Sequence, residues 1–215
     1  RSPPAMAPIS ALRTAIWATA LRALLADDCP TVTTQSGFNL DTFISKRWYV
    51  QQQMAVSYLP ASQNFCVQAE YAKLDKPTFW GFTVQVHNYA QEADGTPHDS
   101  KKFICAKETS ESGKLEVGPC LFPRIGGFTT GPYWVLAYDE AAGFALISGG
   151  QPTVKAAGGC RTGTGVNGAG LWIFTRAQQR DEALVKKARS IASAKGFDLS
   201  VLNDVNQTHC GGGIK

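Results

Sequence analysis

From residue 43 onward, apolar and polar residues alternate with period two, the pattern of strands with one buried face. Eight segments carry it: 47–54 (RWYVQQQM), 65–72 (FCVQAEYA), 79–89 (FWGFTVQVHNY), 101–107 (KKFICAK), 114–121 (KLEVGPCL), 133–139 (YWVLAYD), 143–149 (GFALISG) and 170–176 (GLWIFTR). Turn signals separate them: Asp75-Lys76-Pro77, Asp94-Gly95-Thr96-Pro97, Ser112-Gly113 and Ala142-Gly143. Short connections between successive strands favour antiparallel pairing. Eight such strands form an all-β, up-and-down barrel, which leaves no free edge.

Two segments carry the helical period instead. After Arg176, RDEALVKKARSIASAKG puts Ala183, Leu184, Ala188, Ile191 and Ala192 on one face, with Asp181 as the cap, Glu182 in the first turn and Gly196 at the end. This helix should lay its stripe on the outside of the barrel. Before the barrel, residues 1–10 are Pro-rich, and 10–26 (SALRTAIWATALRALLA) read as an amphipathic helix. That helix has two readings: a retained part of a targeting presequence, or an element docking on a membrane surface or a partner. Arg13 and Arg22 inside the run favour docking. The chain thus divides into an N-terminal extension, 1–35, and a unit, 36–215, holding the barrel, the C-terminal helix and a tail.

Composition narrows the function. Of 215 residues, 44% are apolar and 18% charged, which suits one globular domain with an appendage. No run of 18 apolar residues exists, so no ordinary transmembrane span is expected. The net charge of +4 is spread along the chain without a basic block, which argues against nucleic acid as a partner. The six cysteines form no C-x-x-C pair and there are three histidines, so disulfides in an oxidising compartment are expected and a metal site is not.

The motifs that suggest chemistry fail on context. Gly163, Gly165 and Gly168 match G-x-G-x-x-G, but a strand-like segment follows where a dinucleotide site needs a helix. Ser148 lacks a nucleophile elbow, and alternation turns His87 outward. Asp139, Glu140 and Glu116 make no defensible acid–base pair, so no enzyme is expected. Asn206-Gln207-Thr208 is a glycosylation sequon that matters only in a secretory pathway.

Residues 36–210 resemble the lipocalins. FNLDTFISKRWY is similar to the family's first motif, G-x-W, with Trp48 kept and Lys46 in place of the glycine. Tyr138-Asp139-Glu140 stands where the family has T-D-Y, with Asp139 matching, and Arg176 in LWIFTR stands where an arginine ends the last strand. In the family this arginine packs on the tryptophan and closes the barrel base. FCVQAEYA is similar to the second strand of apolipoprotein D. PYWVLAYDEAAGFALISG is similar to the sixth and seventh strands of both apolipoprotein D and the plastid lipocalins, CLFPRI looks like the plastid form, and VLNDVNQTHC looks like the family's disulfide-tethered C-terminal tail. The resemblance implies that Cys66 joins Cys210 and that Cys29 joins Cys160. Cys105 and Cys120 are supported independently, because they flank the Ser112-Gly113 turn symmetrically and a hairpin would set them opposite each other.

Alternation then gives a cavity lining. With Arg176 beside Trp48, parity sends Phe174 and Trp172 inward, and Trp48 carries Val50, Gln52 and Met54 with it. If Cys66 reaches the tail, Val67, Ala69 and Tyr71 face in. Phe82, Val84, Val86 and Asn88 form the apolar face of the third strand, and Leu115 and Val117 that of the fifth. Tyr71, Asn88 and Trp172 also match ligand-facing positions of apolipoprotein D. The expected function is binding of a small hydrophobic ligand — a lipid, sterol, carotenoid or other pigment — with no cofactor required. Resemblance to the plastid branch implies the thylakoid lumen, with secretion as the alternative. A different reading makes the chain a non-catalytic accessory subunit of a photosynthetic or other membrane complex, docked through residues 10–26. A lipocalin-superfamily enzyme, such as a xanthophyll de-epoxidase or an isomerase, is disfavoured, because the flanking domains and a free pocket thiol are missing from the pattern.

Overall fold

The computed structural model describes residues 29–101, 103–121 and 130–214. The expected helix at 10–26 lies outside the described residues. In chain order the elements are a one-turn helix α1 (Leu40–Phe43), β1 (Trp48–Met54), β2 (Phe65–Lys73), β3 (Val84–Gln91), β4 (Pro97–Asp99), β5 (Ile104–Glu108), β6 (Lys114–Pro119), β7 (Gly131–Asp139), β8 (Phe144–Ser148), β9 (Val154–Ala156), β10 (Gly159–Arg161), β11 (Leu171–Thr175), α2 (Glu182–Ala194) and β12 (Leu202–Asp204).

Strands β1, β2, β3, β5, β6, β7, β8 and β11 pair antiparallel in that order, and β11 returns to β1. The sheet is therefore a closed eight-stranded barrel. Each strand of the sequence reading is present within a few residues, except that the third begins at Val84 instead of residue 79. The additional strands are appendages. β4 folds back on β3, β12 adds to β1, and β9–β10 make a separate hairpin.

Two apolar layers hold the molecule. Trp48, Val67, Val84, Val135, Ile147 and Phe174 belong to the layer inside the barrel. Leu146, Ile173 and Leu136 point outward and meet Val185, Ala188 and Ala192 of α2. Strand alternation produces both layers from the same segments, and α2 covers the outward residues. Asp181 caps α2 by accepting hydrogen bonds from the amides of Ala183 and Leu184. The buried stripe is shifted from the sequence reading: Val185 is inside, whereas Ala183 is exposed. Gly196 ends the helix at φ 84°, and a Cβ there would lie 2.4 Å from Pro30.

All six cysteines are bridged, as Cys29–Cys160, Cys66–Cys210 and Cys105–Cys120. Cys66 occupies a bulge in β2 at φ 52°, a left-handed conformation uncommon outside glycine. Its amide donates to Asn206 of the tail at 2.8 Å instead of to a strand. Among the described residues no helix is long and apolar enough to cross a membrane.

Candidate functional site

The barrel has one closed end. Trp48 is fully buried there, and the Arg176 guanidinium lies 3.5 Å from its ring centroid. The same guanidinium donates to the Thr42 and Phe43 carbonyls at 3.0 Å and to a Glu140 carboxylate oxygen at 2.7 Å. The Trp48 indole N–H donates to the Phe43 carbonyl at 2.9 Å. The chain entering the barrel is thus pinned across its base. α1 exists because Asn39 caps the Thr42 amide at 3.0 Å, and its single turn places Phe43 over the opening as a floor.

Above Phe43 lies a cavity of about 750 Å³. Leu40, Phe43 and Ile44 make its floor. Its walls are mostly apolar, with Val50, Val67, Val84, Val86, Leu115, Val117, Trp172 and Phe174 contributed by five strands. Leu59 and Phe103, Asn88, the segment His98–Ser100 and the segment Val166–Ala169 surround the mouth. His87 bonds Asp99 at 2.7 Å and His98 bonds Glu92 at 3.0 Å, so the β3–β4 hairpin forms one braced lip. The glycine triplet 163–168 forms the opposite lip, closed by a bond from the Gly163 amide to the Gly168 carbonyl at 3.2 Å.

Ten of the fourteen residues named from parity meet around this space: Val50, Val67, Tyr71, Val84, Val86, Asn88, Leu115, Val117, Trp172 and Phe174. Ala69 is buried in the layer inside the barrel without lining the cavity. Gln52 and Met54 are corrections. The β1–β11 register slips between Val50 and Gln52, so that Gln52 pairs with the outward Ile173. The extra residue inverts the parity of everything after it. Gln52 consequently bridges Asp204 at 2.6 Å and Arg189 at 2.8 Å outside the barrel, and Met54 joins the layer under α2. Phe82 is a correction as well. It precedes β3 and is fully buried, with the Lys107 ammonium 5.7 Å from its ring, and it does not line the cavity.

Sequence reasoning missed the floor residues and Tyr133. Alternation on β7 would have found Tyr133 with Val135, whereas a single helical turn leaves no periodic signal. The Tyr133 hydroxyl lies 2.8 Å from that of Tyr71, just above Phe43, whose ring centroid is 5.5 Å from Tyr71 and 6.5 Å from Tyr133. Burial pushes both phenols above the ordinary tyrosine range. A phenol whose folded pKa is raised contributes stability below the unfolded pKa of about 10, and loses it as pH climbs through the folded value. Tyr58, by burial, and Tyr138 are pushed up as well, so absorbance titration at 295 nm should show these four tyrosines ionising late, with folding stability declining above about pH 10. Ionisation of all six tyrosines in one step near the free value would contradict the buried pair.

A shallower groove beside α2, lined by Gln52, Arg180, Glu182 and Arg189, is polar. Arg180 there pairs with Glu182 and with Asp204. It offers little apolar wall for a hydrophobic guest.

No family model and no curated protein matches the sequence. Solved structures match in fold. The major cockroach allergen Per a 4 superposes with a TM-score of 0.56 at 14% identity, covering 86% of this chain and 98% of that one. Lobster apocrustacyanin A1 gives 0.52 at 14% identity, covering 86% and 93%. Apocrustacyanin C2 gives 0.53 at 14% identity, covering 85% and 92%. These neighbours are lipocalins. A closed eight-stranded antiparallel barrel, an outer C-terminal helix and an arginine stacked on the first-strand tryptophan give this chain the lipocalin fold.

Proposed function

We propose that this chain is a non-catalytic carrier that holds a small hydrophobic molecule inside the barrel. The observation that carries the reading is the cavity itself: sealed at one end, open at the other among the described residues, and walled by aliphatic and aromatic side chains. Such a space gains about 25 cal/mol for each Å² of apolar ligand surface removed from water, less the cost of association. The ten parity-derived residues around it are the proposed contacts. The bridging of all six cysteines supports the absence of thiol chemistry and suits an oxidising compartment. Similarity of the sequence to plastid lipocalins favours the thylakoid lumen for that compartment, with secretion as the alternative.

Solvent extraction and mass spectrometry of the protein purified from its source should release a lipid or pigment in stoichiometric amount. In parallel, the delipidated protein should bind the neutral dye N-phenyl-1-naphthylamine. Val117→Trp should weaken that binding at least tenfold, because Val117 lines the cavity and an indole in its place would take up space the dye needs. Dye affinity unchanged by this variant, with the fold intact, would place binding elsewhere. A protein that binds no apolar dye and releases nothing small would end the carrier reading.

A further inference from the structure

Resting on the carrier reading, we infer that the floor of the cavity selects a neutral oxygen, a hydroxyl or carbonyl at the leading end of the ligand, and rejects a carboxylate there. The cavity walls are apolar except at two levels. Polar groups gather at the mouth, and the Tyr71–Tyr133 hydroxyl pair sits at the floor. Two phenols hold two donor protons. Their mutual bond uses one, so the second proton and the remaining lone pairs face the cavity. A single alcohol or carbonyl oxygen entering head-first meets a partner of matching capacity.

A carboxylate in the same place would bring a full charge into a dry site. No lysine or arginine lines the cavity among the described residues. The nearest strong cation at the base, Arg176, is stacked on Trp48 and engaged by Glu140 and backbone carbonyls. Its charge reaches the Tyr71 hydroxyl, where it opposes the effect of burial without outweighing it. A buried anion without a paired cation is disfavoured, and the free acid would be favoured over its anion. The charged groups near the mouth, Asp99 with His87 and Glu92 with His98, already pair with one another.

The test uses two probes that share one polyene, all-trans-retinol and all-trans-retinoic acid, followed by quenching of tryptophan emission in the delipidated full chain. Retinol should bind at least tenfold more tightly than retinoate at pH 7.5. The double variant Tyr71→Phe, Tyr133→Phe should weaken retinol five- to tenfold and leave retinoate unchanged, which shrinks the discrimination. Tyr138→Phe, whose hydroxyl bonds Thr42 and Glu140 away from the cavity, should alter neither probe. Either single variant reports on the pair if the double variant loses its fold. Equal binding of the two probes, or wild-type retinol affinity in a folded double variant, would overturn the inference while leaving the carrier reading in place. Failure of both probes to bind, together with failure of the neutral dye, would overturn the carrier reading itself.

Discussion

Arg176→Met should lower the folding stability of the barrel by about 3 kcal/mol, since removing a largely buried cation leaves its carboxylate and carbonyl partners unsatisfied. The side chain is only 13% exposed and touches four kinds of partner at once: the Trp48 ring, Glu140, and the carbonyls of α1 and of the segment entering β1. Methionine keeps much of the bulk and all of the apolar stem, so the loss reports the guanidinium. In a domain of this size about 3 kcal/mol corresponds to a drop in Tm of roughly 6–12 °C. Arg176→Lys should recover little, because an ammonium cannot stack flat on the indole and fork to several acceptors together. Thermal unfolding followed by circular dichroism decides the matter. A loss under about 1 kcal/mol, the scale of an ordinary surface pair, would mean that the contact decorates the base without closing it.

That contact was also the most legible part of the sequence. Trp48 and Arg176 are 128 positions apart, and it is the resemblance that pairs them, giving parity its anchor. The lining of β2, β3, β6 and β11 was legible for the same physical reason. A strand inside a closed barrel has no choice of face once one residue is anchored. Where the reading failed, the ladder was irregular. Nothing in WYVQQQM marks the residue that will be extruded, and one extra residue between Val50 and Gln52 moved Gln52 and Met54 to the outside. The glutamines record the outcome: Gln53 and Gln51 are both fully buried, where a polar-out pattern would expose them. The floor was illegible because α1 is one turn long and is held by a cap and by Arg176. Tyr133 stays hidden in the sequence because no residue of β7 fixes which face of that strand points inward. The hydroxyl pair at the floor therefore came from structure alone.

The third region of consequence is the seam between β1 and β2, and it makes the Cys66–Cys210 bridge the second large expected effect. The two strands pair directly only at Trp48 with Ala69 and at Tyr49 with Gln68. Beyond that point the tail takes over the ladder. The Gln207 side chain donates to the carbonyls of both Val50 and Val67 at 2.8 Å, the Val205 amide donates to Gln51 at 3.0 Å, and the Cys66 amide donates to Asn206. Ile214 is buried with Tyr89 and Cys66, and a Cβ on Gly212 would stand 2.2 Å from the Tyr89 hydroxyl, so the tail lies flat only because that position is glycine. A disulfide across 144 positions restricts the unfolded chain strongly, by about 4–5 kcal/mol on the loop-entropy model. Cys66→Ser with Cys210→Ser should cost about that much. The equivalent pair at Cys105 and Cys120 closes only 15 positions and should cost about 2 kcal/mol less. Chemical denaturation of the two double variants compares them directly, and equal losses would deny the long bridge its excess. Hydrogen exchange separates entropy from architecture. If the tail completes the wall, the amides of Val205 and of residue 66 should lose protection in the first variant and keep it in the second. A seam that stays protected with its bridge removed would mean that Gln207 and the buried Ile214 suffice to hold the barrel shut.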